Sequence, residues 1–179
     1  ILADAVVSGR SILVVGDFDA DGATGTAVAV RALSMMAATN VDFRVPNRFD
    51  FGYGLSPALV DTLADRPPDV LVTVDSGISS NEGVARAREL GCKVVVTDHH
   101  LPGETLPDAD AIVNPNCPGD GFGSKALAGV GVVFYLMSAV RERIELAKIP
   151  ASFKGLPIAF IVAGQFAMAF LGFSGLQLF

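Results

Sequence analysis

The feature that most constrains this chain is an apolar strand that runs directly into alternating carboxylates. Residues 12–15 form a continuous aliphatic run, typical of a strand that is buried on both faces. Asp17, Asp19 and Asp21 follow at every second position. On extended backbone, carboxylates two residues apart point the same way and repel one another unless cations neutralise them. Mg²⁺ and Mn²⁺ prefer such oxygen ligands, although a solvated acidic turn would have the same sequence.

Apolar runs and turn residues divide the chain into alternating strands and helices. Strands are predicted at residues 12–15, 41–46, 70–74, 93–97 and 111–113. Helices are predicted at residues 23–38, 57–65, 81–90 and 130–144, and the first is expected to open at Thr24 or Gly25. The intervening residues 47–57, rich in glycine and aromatics, are predicted to be a loop. This alternation predicts an α/β fold with a parallel β-sheet flanked by helices.

Three of the predicted strands end in acidic residues. Asp75 follows the third strand, and Asp98-His99-His100 follows the fourth. Because the carboxyl ends of parallel strands meet at one edge of the sheet, we expect these residues to converge with the first three carboxylates. His99 and His100 are the only histidines in the chain, and their pairing favours a ligand set over a polar structural network. Imidazole suits Mn²⁺ or another transition ion better than Ca²⁺.

Composition limits the class of protein. The 179 residues are 51% hydrophobic, which suits one domain with a sizeable core. The formal net charge of −6 argues against polyanion binding over the whole surface, but metal ions can invert the field at an acidic site. Cys92 and Cys117 lack metal-ligand spacing and are predicted to be reduced thiols of a cytoplasmic protein. No signal peptide is visible, and the start at Ile1 suggests a fragment.

Several long motifs, in order, carry a family resemblance. The DHH phosphoesterase superfamily has three motifs that resemble VVGDFDADGATG, VTVDSGI and VVVTDHHLPG of this chain. Within it, the bacterial RecJ exonucleases, which are specific for single strands, are similar in NRFDFGYGLSP and AIVNPNCPGDGFGSKALAGVGVVFYLM. The resemblance covers residues 12–140 and implies a Rossmann-like DHH domain.

The resemblance implies a two-metal phosphoesterase that uses two Mn²⁺ or Mg²⁺ ions. Such an enzyme degrades single-stranded DNA from the 5′ end, in DNA repair and recombination. By the same resemblance, Asp19 and Asp21 bind metal, Asp75 bridges both ions, and His99 is a further ligand. Asp17 is expected either to bind a metal or to position a ligand.

Other roles are also implied for residues around this centre. Asp98 would orient the histidines by accepting their hydrogen bonds, and His100 would face the scissile phosphate. The candidates for substrate contacts are Arg48 and Lys125 for phosphates, and Phe51 or Tyr53 for stacking on bases.

The chain departs from the family near its end. The family's fourth motif ends in a metal-binding aspartate, and alignment of IVAGQFAMAFLG by eye puts Met168 at or near that position. A thioether cannot replace a carboxylate on a hard cation. We therefore expect a partial DHH domain over residues 1–150 and a divergent apolar tail over residues 151–179. The tail is a damaged or frame-altered end of the domain, a natural loss of the ligand, or a real alternative segment.

Residues 156–173 are long and apolar enough to suggest a membrane span. Pro157 and Gln165 interrupt this stretch, and no basic residue follows it to set an orientation. The expectation is therefore a protein without a membrane segment.

Three other functions stay open from the sequence. One is a DHH phosphodiesterase or pyrophosphatase that acts on small nucleotides. Another is a haloacid-dehalogenase-type phosphatase, which also places DxDG after a strand but has no use for Asp98-His99-His100. The third is a truncated, inactive DHH domain that binds metal or nucleic acid weakly, as the missing aspartate suggests.

Overall fold

Five parallel strands form the sheet that the sequence predicts, in a computed structural model that describes residues 1–148. The strands are β1 (Ile12–Gly16), β2 (Val41–Arg44), β3 (Val70–Val74), β4 (Lys93–Thr97) and β5 (Ala111–Val113). Their order is β2-β1-β3-β4-β5, and every neighbouring pair is parallel. The prediction of an α/β fold with a parallel sheet is confirmed.

Six helices accompany the strands in this part of the chain. They are α1 (Leu2–Val7), α2 (Ala20–Met35), α3 (Arg48–Phe51), α4 (Pro57–Asp61), α5 (Asn81–Glu89) and α6 (Gly129–Lys148). Sequence periodicity predicted neither α1 nor α3, because helices of four to six residues are too short to show a repeat. The short α3 lies in the predicted loop, and its N-cap is Asn47, whose side chain accepts a hydrogen bond from the Phe49 amide.

The sheet separates two apolar layers. One face packs against α1, α2 and α6, and Val14 and Val72 belong to this layer. The other face packs against α4 and α5, and it includes Leu13 and Leu71. Every residue of β1 and β3 is buried, which explains why their sequences are nearly continuous apolar runs, interrupted by Thr73, rather than alternating patterns.

Helix α2 begins earlier than the sequence suggested, at Ala20 rather than at Thr24 or Gly25. The cause is Asp19, which is the N-cap and accepts a hydrogen bond of 2.8 Å from the amide of Gly22. Asp21 therefore lies in the first helical turn. The expectation that all three carboxylates project alike from one extended segment is wrong, since helical geometry redirects the third.

The strand order creates a crevice at the carboxyl end of the sheet. After β1 the chain passes to β2 on one side, and it then returns to β3 on the other side of β1. Ligands of open α/β sheets bind at such switch points, where the connections leave in opposite directions. The acidic residues that follow β1 and β3 lie at this crevice.

Several expectations concern residues 149–179, which lie outside the described part of the chain. They include the divergent tail, Met168 at the fourth-motif position, and the apolar stretch at 156–173. Within residues 1–148, none of the helices is both long and apolar enough to cross a membrane. Ile1–Ile144 form one compact unit, in which Cys92 and Cys117 are both free thiols.

The packing of α5 gives a test of the fold. A β-carbon added at Gly83 would lie 1.8 Å from the carbonyl oxygen of Leu55, so Gly83→Ala forces the helix away from this backbone. We expect the free energy of unfolding to fall by about 2 kcal/mol, despite the better helix propensity of alanine. Urea unfolding followed by circular dichroism measures the loss.

The matched control is Gly103→Ala, where an added β-carbon would meet no atom within 4 Å. Its unfolding free energy should stay near that of the wild-type chain. Equal stabilities for the two variants would contradict the close approach of α5 to Leu55.

Candidate metal centre

The acidic edge consists of the carboxylates that follow three strands of the sheet, Asp17, Asp19, Asp21, Asp75 and Asp98. Asp75 is its most constrained residue. It follows β3 with only 2% of its surface exposed. Its φ of 59° lies in the left-handed region, which residues other than glycine rarely adopt. A hydrogen bond of 2.7 Å from the Thr73 hydroxyl to the carbonyl of Ser76 closes the turn around it. Backbone strain of this kind persists where the surrounding structure enforces it, and it concentrates at functional sites.

The carboxylate of Asp75 is poorly satisfied by the protein. Its Oδ1 atom is buried and accepts no hydrogen bond from the described residues, although His99 Nε2 lies 3.1 Å away. Burial, together with the charges of Asp21 and Asp19, raises the pKa of Asp75 to about 7. A buried acceptor without a donor, among other carboxylates, is an environment that a cation would stabilise.

Asp75 is shared by two sets of possible metal ligands. The first set consists of Asp17, Asp19 and Asp75, and the second of Asp75, His99 and His100. In each set the ligand atoms lie within 4.8 Å of one another. The strand ends therefore bring together the acidic and imidazole side chains that the sequence singled out, and Asp75 lies between the two sets.

Asp98 is a hydrogen-bond acceptor for the histidine loop. It is 1% exposed, and its Oδ1 accepts hydrogen bonds from the amides of His99 and His100. The same oxygen lies 2.7 Å from Nδ1 of His100, while Oδ2 accepts a bond of 3.0 Å from the Ile78 amide. Asp98 thus contacts the ring of His100 but only the backbone of His99. Of the two histidine rings that it was expected to orient, it orients that of His100 alone.

The ring of His100 is partly buried beside these acids. Burial by itself lowers the pKa of His100, but the hydrogen bond that its ring donates to Asp98, together with the negative charge of Asp98, outweighs this effect and raises the pKa. Because Nδ1 faces Asp98, Nε2 is the nitrogen left to meet a ligand.

Asp21 stands apart from both ligand sets. Its two oxygens accept hydrogen bonds from the amides of Gly129 and Val130, at 2.7 and 2.8 Å, at the start of α6. Its Oδ2 also lies 3.6 Å from Nε2 of His99, so it still borders the centre. The predicted metal-binding role of Asp21 is therefore shared with a structural one.

Two asparagines that sequence reasoning passed over support the histidines from behind. The side chain of Asn114, which is 3% exposed, donates to the carbonyl of His100 at 2.9 Å. The side chain of Asn116 donates to the carbonyl of His99. The sequence shows Asn-Pro-Asn directly after a predicted strand, but only the pairing of β4 with β5 places these asparagines behind the histidines.

Arg48 and Tyr53, the candidates for substrate contacts, lie beside Asp17 and His100. The guanidinium carbon of Arg48 lies 3.8 Å from the ring centroid of Phe18, and Nη2 lies 3.6 Å from an oxygen of Asp17. The ring of Tyr53 meets that of His100 edge to face, with centroids 6.2 Å apart. Phe18 was not singled out from the sequence, although its place between two predicted ligands was a signal.

Phe51 and Lys125 have other surroundings. Phe51 is partly buried and packs on the layer formed with α4 and α5, which leaves Tyr53 as the stacking candidate. The ammonium of Lys125 donates to the carbonyls of Pro115 and Asp120 within its own loop. Its carbonyl accepts from the Asn116 side chain, so Lys125 supports the loop behind the histidines.

The known proteins with similar sequence and structure include exonucleases. The single-stranded-DNA-specific exonuclease RecJ of Escherichia coli (strain K12) is 59% identical over 141 residues, which are 79% of this chain and 24% of that protein. A crystal structure of exonuclease RecJ bound to manganese superposes with a TM-score of 0.70 and 39% identity, covering 83% of this chain and 37% of that one. The chain thus spans about a quarter of the length of the curated relative it matches.

A second similarity lies outside this group. One component of the ion-translocating oxidoreductase complex of Edwardsiella ictaluri (strain 93-146) is 48% identical over 58 residues. These are 32% of this chain and 30% of that protein, too little of either to assign a family.

The sequence also matches a family model over most of its length. The model describes the N-terminal domain of the DHH family, and it matches residues 11–158. This range includes β1 to β5 and all the residues of the acidic edge. The chain belongs to the DHH family.

Proposed function

We propose that this chain is the catalytic domain of a two-metal phosphoesterase that degrades single-stranded DNA in the 5′→3′ direction, in DNA repair and recombination. The observation that carries the proposal is the position of Asp75, which is common to both sets of possible ligands. The relative from Escherichia coli is a single-stranded-DNA-specific exonuclease, and the exonuclease with the similar fold is bound to manganese. Both similarities support the same reaction for this chain.

The residues present fit a pair of divalent cations, Mn²⁺ or Mg²⁺. Asp17, Asp19 and Asp75 supply only oxygen ligands, whereas His99 adds a nitrogen to the second set, which suits Mn²⁺ in particular. The free, buried Oδ1 of Asp75 would gain the partner that it lacks. Asp21, held by α6, borders the second set. When bound, such ions lower the pKa of a water nucleophile and stabilise the charge on a phosphate.

The protein's own groups would orient the phosphate. Asp98 fixes the ring of His100 through Nδ1 and leaves Nε2 to donate to a phosphate oxygen. His99 cannot share this orientation, because its ring faces Asp75 and Asp21 instead. The two histidines of the motif therefore have different tasks, one as a ligand and one as a phosphate contact.

The polynucleotide would lie across Arg48 and Tyr53. The face of Arg48 rests on Phe18, and its charge is balanced by Asp17 at 3.6 Å, a pairing that a phosphate could replace. Next to His100 is a cleft of about 410 Å³. It is lined by Tyr53, Gly77, Ile78, Ser79, Ser80, Asp98 and His100. The exposed ring of Tyr53 can stack on a base at its entrance.

Two other functions remain as outcomes of the tests. A DHH enzyme that acts on small nucleotides or pyrophosphate would use the same ligands but not Arg48 and Tyr53. An inactive domain would bind metal without cleaving DNA, which the position of Met168 motivates. Membership of the DHH family contradicts the alternative of a haloacid-dehalogenase-type phosphatase.

The place of the chain in the cell is part of the proposal. We assign it to the cytoplasm, with single-stranded DNA as its partner and without a membrane role. We also keep residues 1–150 as a partial DHH domain and residues 151–179 as a divergent tail.

The burial of Asp75 predicts the pH dependence of stability without metal. Its pKa is about 7 in the folded chain and 3.8 in the unfolded one, so folding favours the protonated acid. This contribution is complete below about pH 4 and is lost as the pH rises to about 7. Relative to Asp75→Asn, the wild-type chain should lose up to about 4 kcal/mol of unfolding free energy between these limits.

Urea unfolding in EDTA at a series of pH values measures this difference. At neutral pH, saturating Mn²⁺ should raise the unfolding free energy of the wild-type chain but not that of Asp75→Asn. A parallel pH dependence of the two chains would contradict the raised pKa of Asp75.

Cleavage is tested with the whole chain, Mn²⁺ and end-labelled oligonucleotides. We expect mononucleotides to be released from the 5′ end of single strands, and Asp75→Ala to lower the rate by at least about 100-fold. The control is Asp61→Ala, which removes an exposed carboxylate that pairs with Arg86. Cleavage by Asp75→Ala at the rate of an active wild-type chain would refute the assignment of the site.

A substrate panel separates the alternatives. Preference for dinucleotides or pyrophosphate over oligonucleotides would favour the small-nucleotide enzyme. Mn²⁺ binding without cleavage of any substrate would favour the inactive domain, particularly if Met168→Asp within a longer chain restores the reaction.

A further prediction concerns Arg48. If it contacts one phosphate, Arg48→Ala should weaken binding of a phosphorothioate oligonucleotide and reduce the salt dependence of log Kd by about 0.7. Fluorescence anisotropy at several salt concentrations measures both effects. Arg10→Ala, at the opposite end of β1, is the matched loss of charge and should leave the slope unchanged.

A further inference from the structure

The first turn of α6 is in direct contact with the acidic edge. Asp21 accepts hydrogen bonds from the amides of Gly129 and Val130 with its two oxygens, at 2.7 and 2.8 Å. The amides of a first helical turn have no partner within their own helix, and they carry the positive end of its dipole. Asp21, more than 100 residues away along the chain, therefore caps α6 from another helix.

Gly129 also touches the second carboxylate. A β-carbon added there would lie 2.4 Å from Oδ1 and 2.8 Å from Cγ of Asp75. No side chain fits at such distances, and Asp75 has little freedom to retreat because it is buried and its backbone is held at a φ of 59°. Gly129 has an ordinary φ, so the need for glycine comes from space and not from backbone conformation.

We propose that Gly129 is a positioning residue of the metal centre, a role that rests on the proposed function. Because Gly129 has no side chain, the start of α6 fits between Asp21 and Asp75 and fixes both carboxylates at once. His99 Nε2 lies 3.6 Å from one and 3.1 Å from the other, so their separation decides whether all three can reach the same ion. A larger residue must displace Asp75 or pull the α6 amides away from Asp21.

Gly129→Ala in the whole chain tests the proposal, and Gly131→Ala is the matched control in the same helical turn. At Gly131 an added β-carbon would meet the side chain of Leu127, away from the carboxylates. We expect Gly129→Ala to bind Mn²⁺ at least about tenfold more weakly and to lose most of the Mn²⁺-induced rise in Tm. Gly131→Ala should keep the wild-type Mn²⁺ affinity, whatever its Tm without metal.

The electron paramagnetic resonance signal of free Mn²⁺ gives the affinity without any assay of activity. Circular dichroism checks that each variant is folded. A folded Gly129→Ala chain that binds Mn²⁺ as the wild-type chain does would overturn the proposal. A loss of affinity in Gly131→Ala equal to that in Gly129→Ala would also overturn it, because any disturbance of α6 would then suffice.

Hydrogen exchange of the metal-free chain gives a second test, which stands if Gly129→Ala does not fold. The amides of Gly129 and Val130 should be protected in the wild-type chain and should exchange faster in Asp21→Asn, which has one acceptor oxygen fewer. Unprotected amides in the wild-type chain would overturn the positioning role alone. A wild-type chain that binds no Mn²⁺ would instead overturn the proposed function.

Discussion

The buried charge of Asp75 is the constraint on which the rest of the site depends. A carboxylate with 2% exposure is placed among Asp17, Asp19 and Asp21, in a backbone conformation that costs free energy. The fully buried strands β1 and β3 hold this arrangement by burying both faces of the sheet beneath it. The stability of the core thus supports an edge that is unfavourable on its own.

Much of the fold could be predicted because it depends on local sequence. Short apolar or β-branched runs bounded by turn residues define five parallel strands, and the topology then gathers their carboxyl ends at one edge. The convergence of Asp75 and His99 with the first acids follows from that rule alone. The family resemblance added roles for these residues that no spacing rule could supply.

What could not be predicted depends on contacts between distant parts of the chain. Asp21 looked equivalent to Asp19 in the sequence, but the N-cap at Asp19 starts α2 and turns Asp21 towards α6. The cationic Lys125 gave no sign that its ammonium would be used within its own loop. The support of the histidines by Asn114 and Asn116 likewise required the pairing of β4 with β5 to be known.

Helix α6 connects the hydrophobic core with the acidic edge. Its apolar side, with Val133, Met137 and Val140, belongs to one layer of the core, while its first amides hold Asp21. Because thermodynamic linkage is reciprocal, a cation that Asp21 helps to hold, as proposed above, would stabilise the packing of α6 on the sheet, and loosening this helix would weaken cation binding to the same extent. Under that proposal, substitutions deep in the hydrophobic layer would act as remote modulators of ion occupancy without approaching the charged edge.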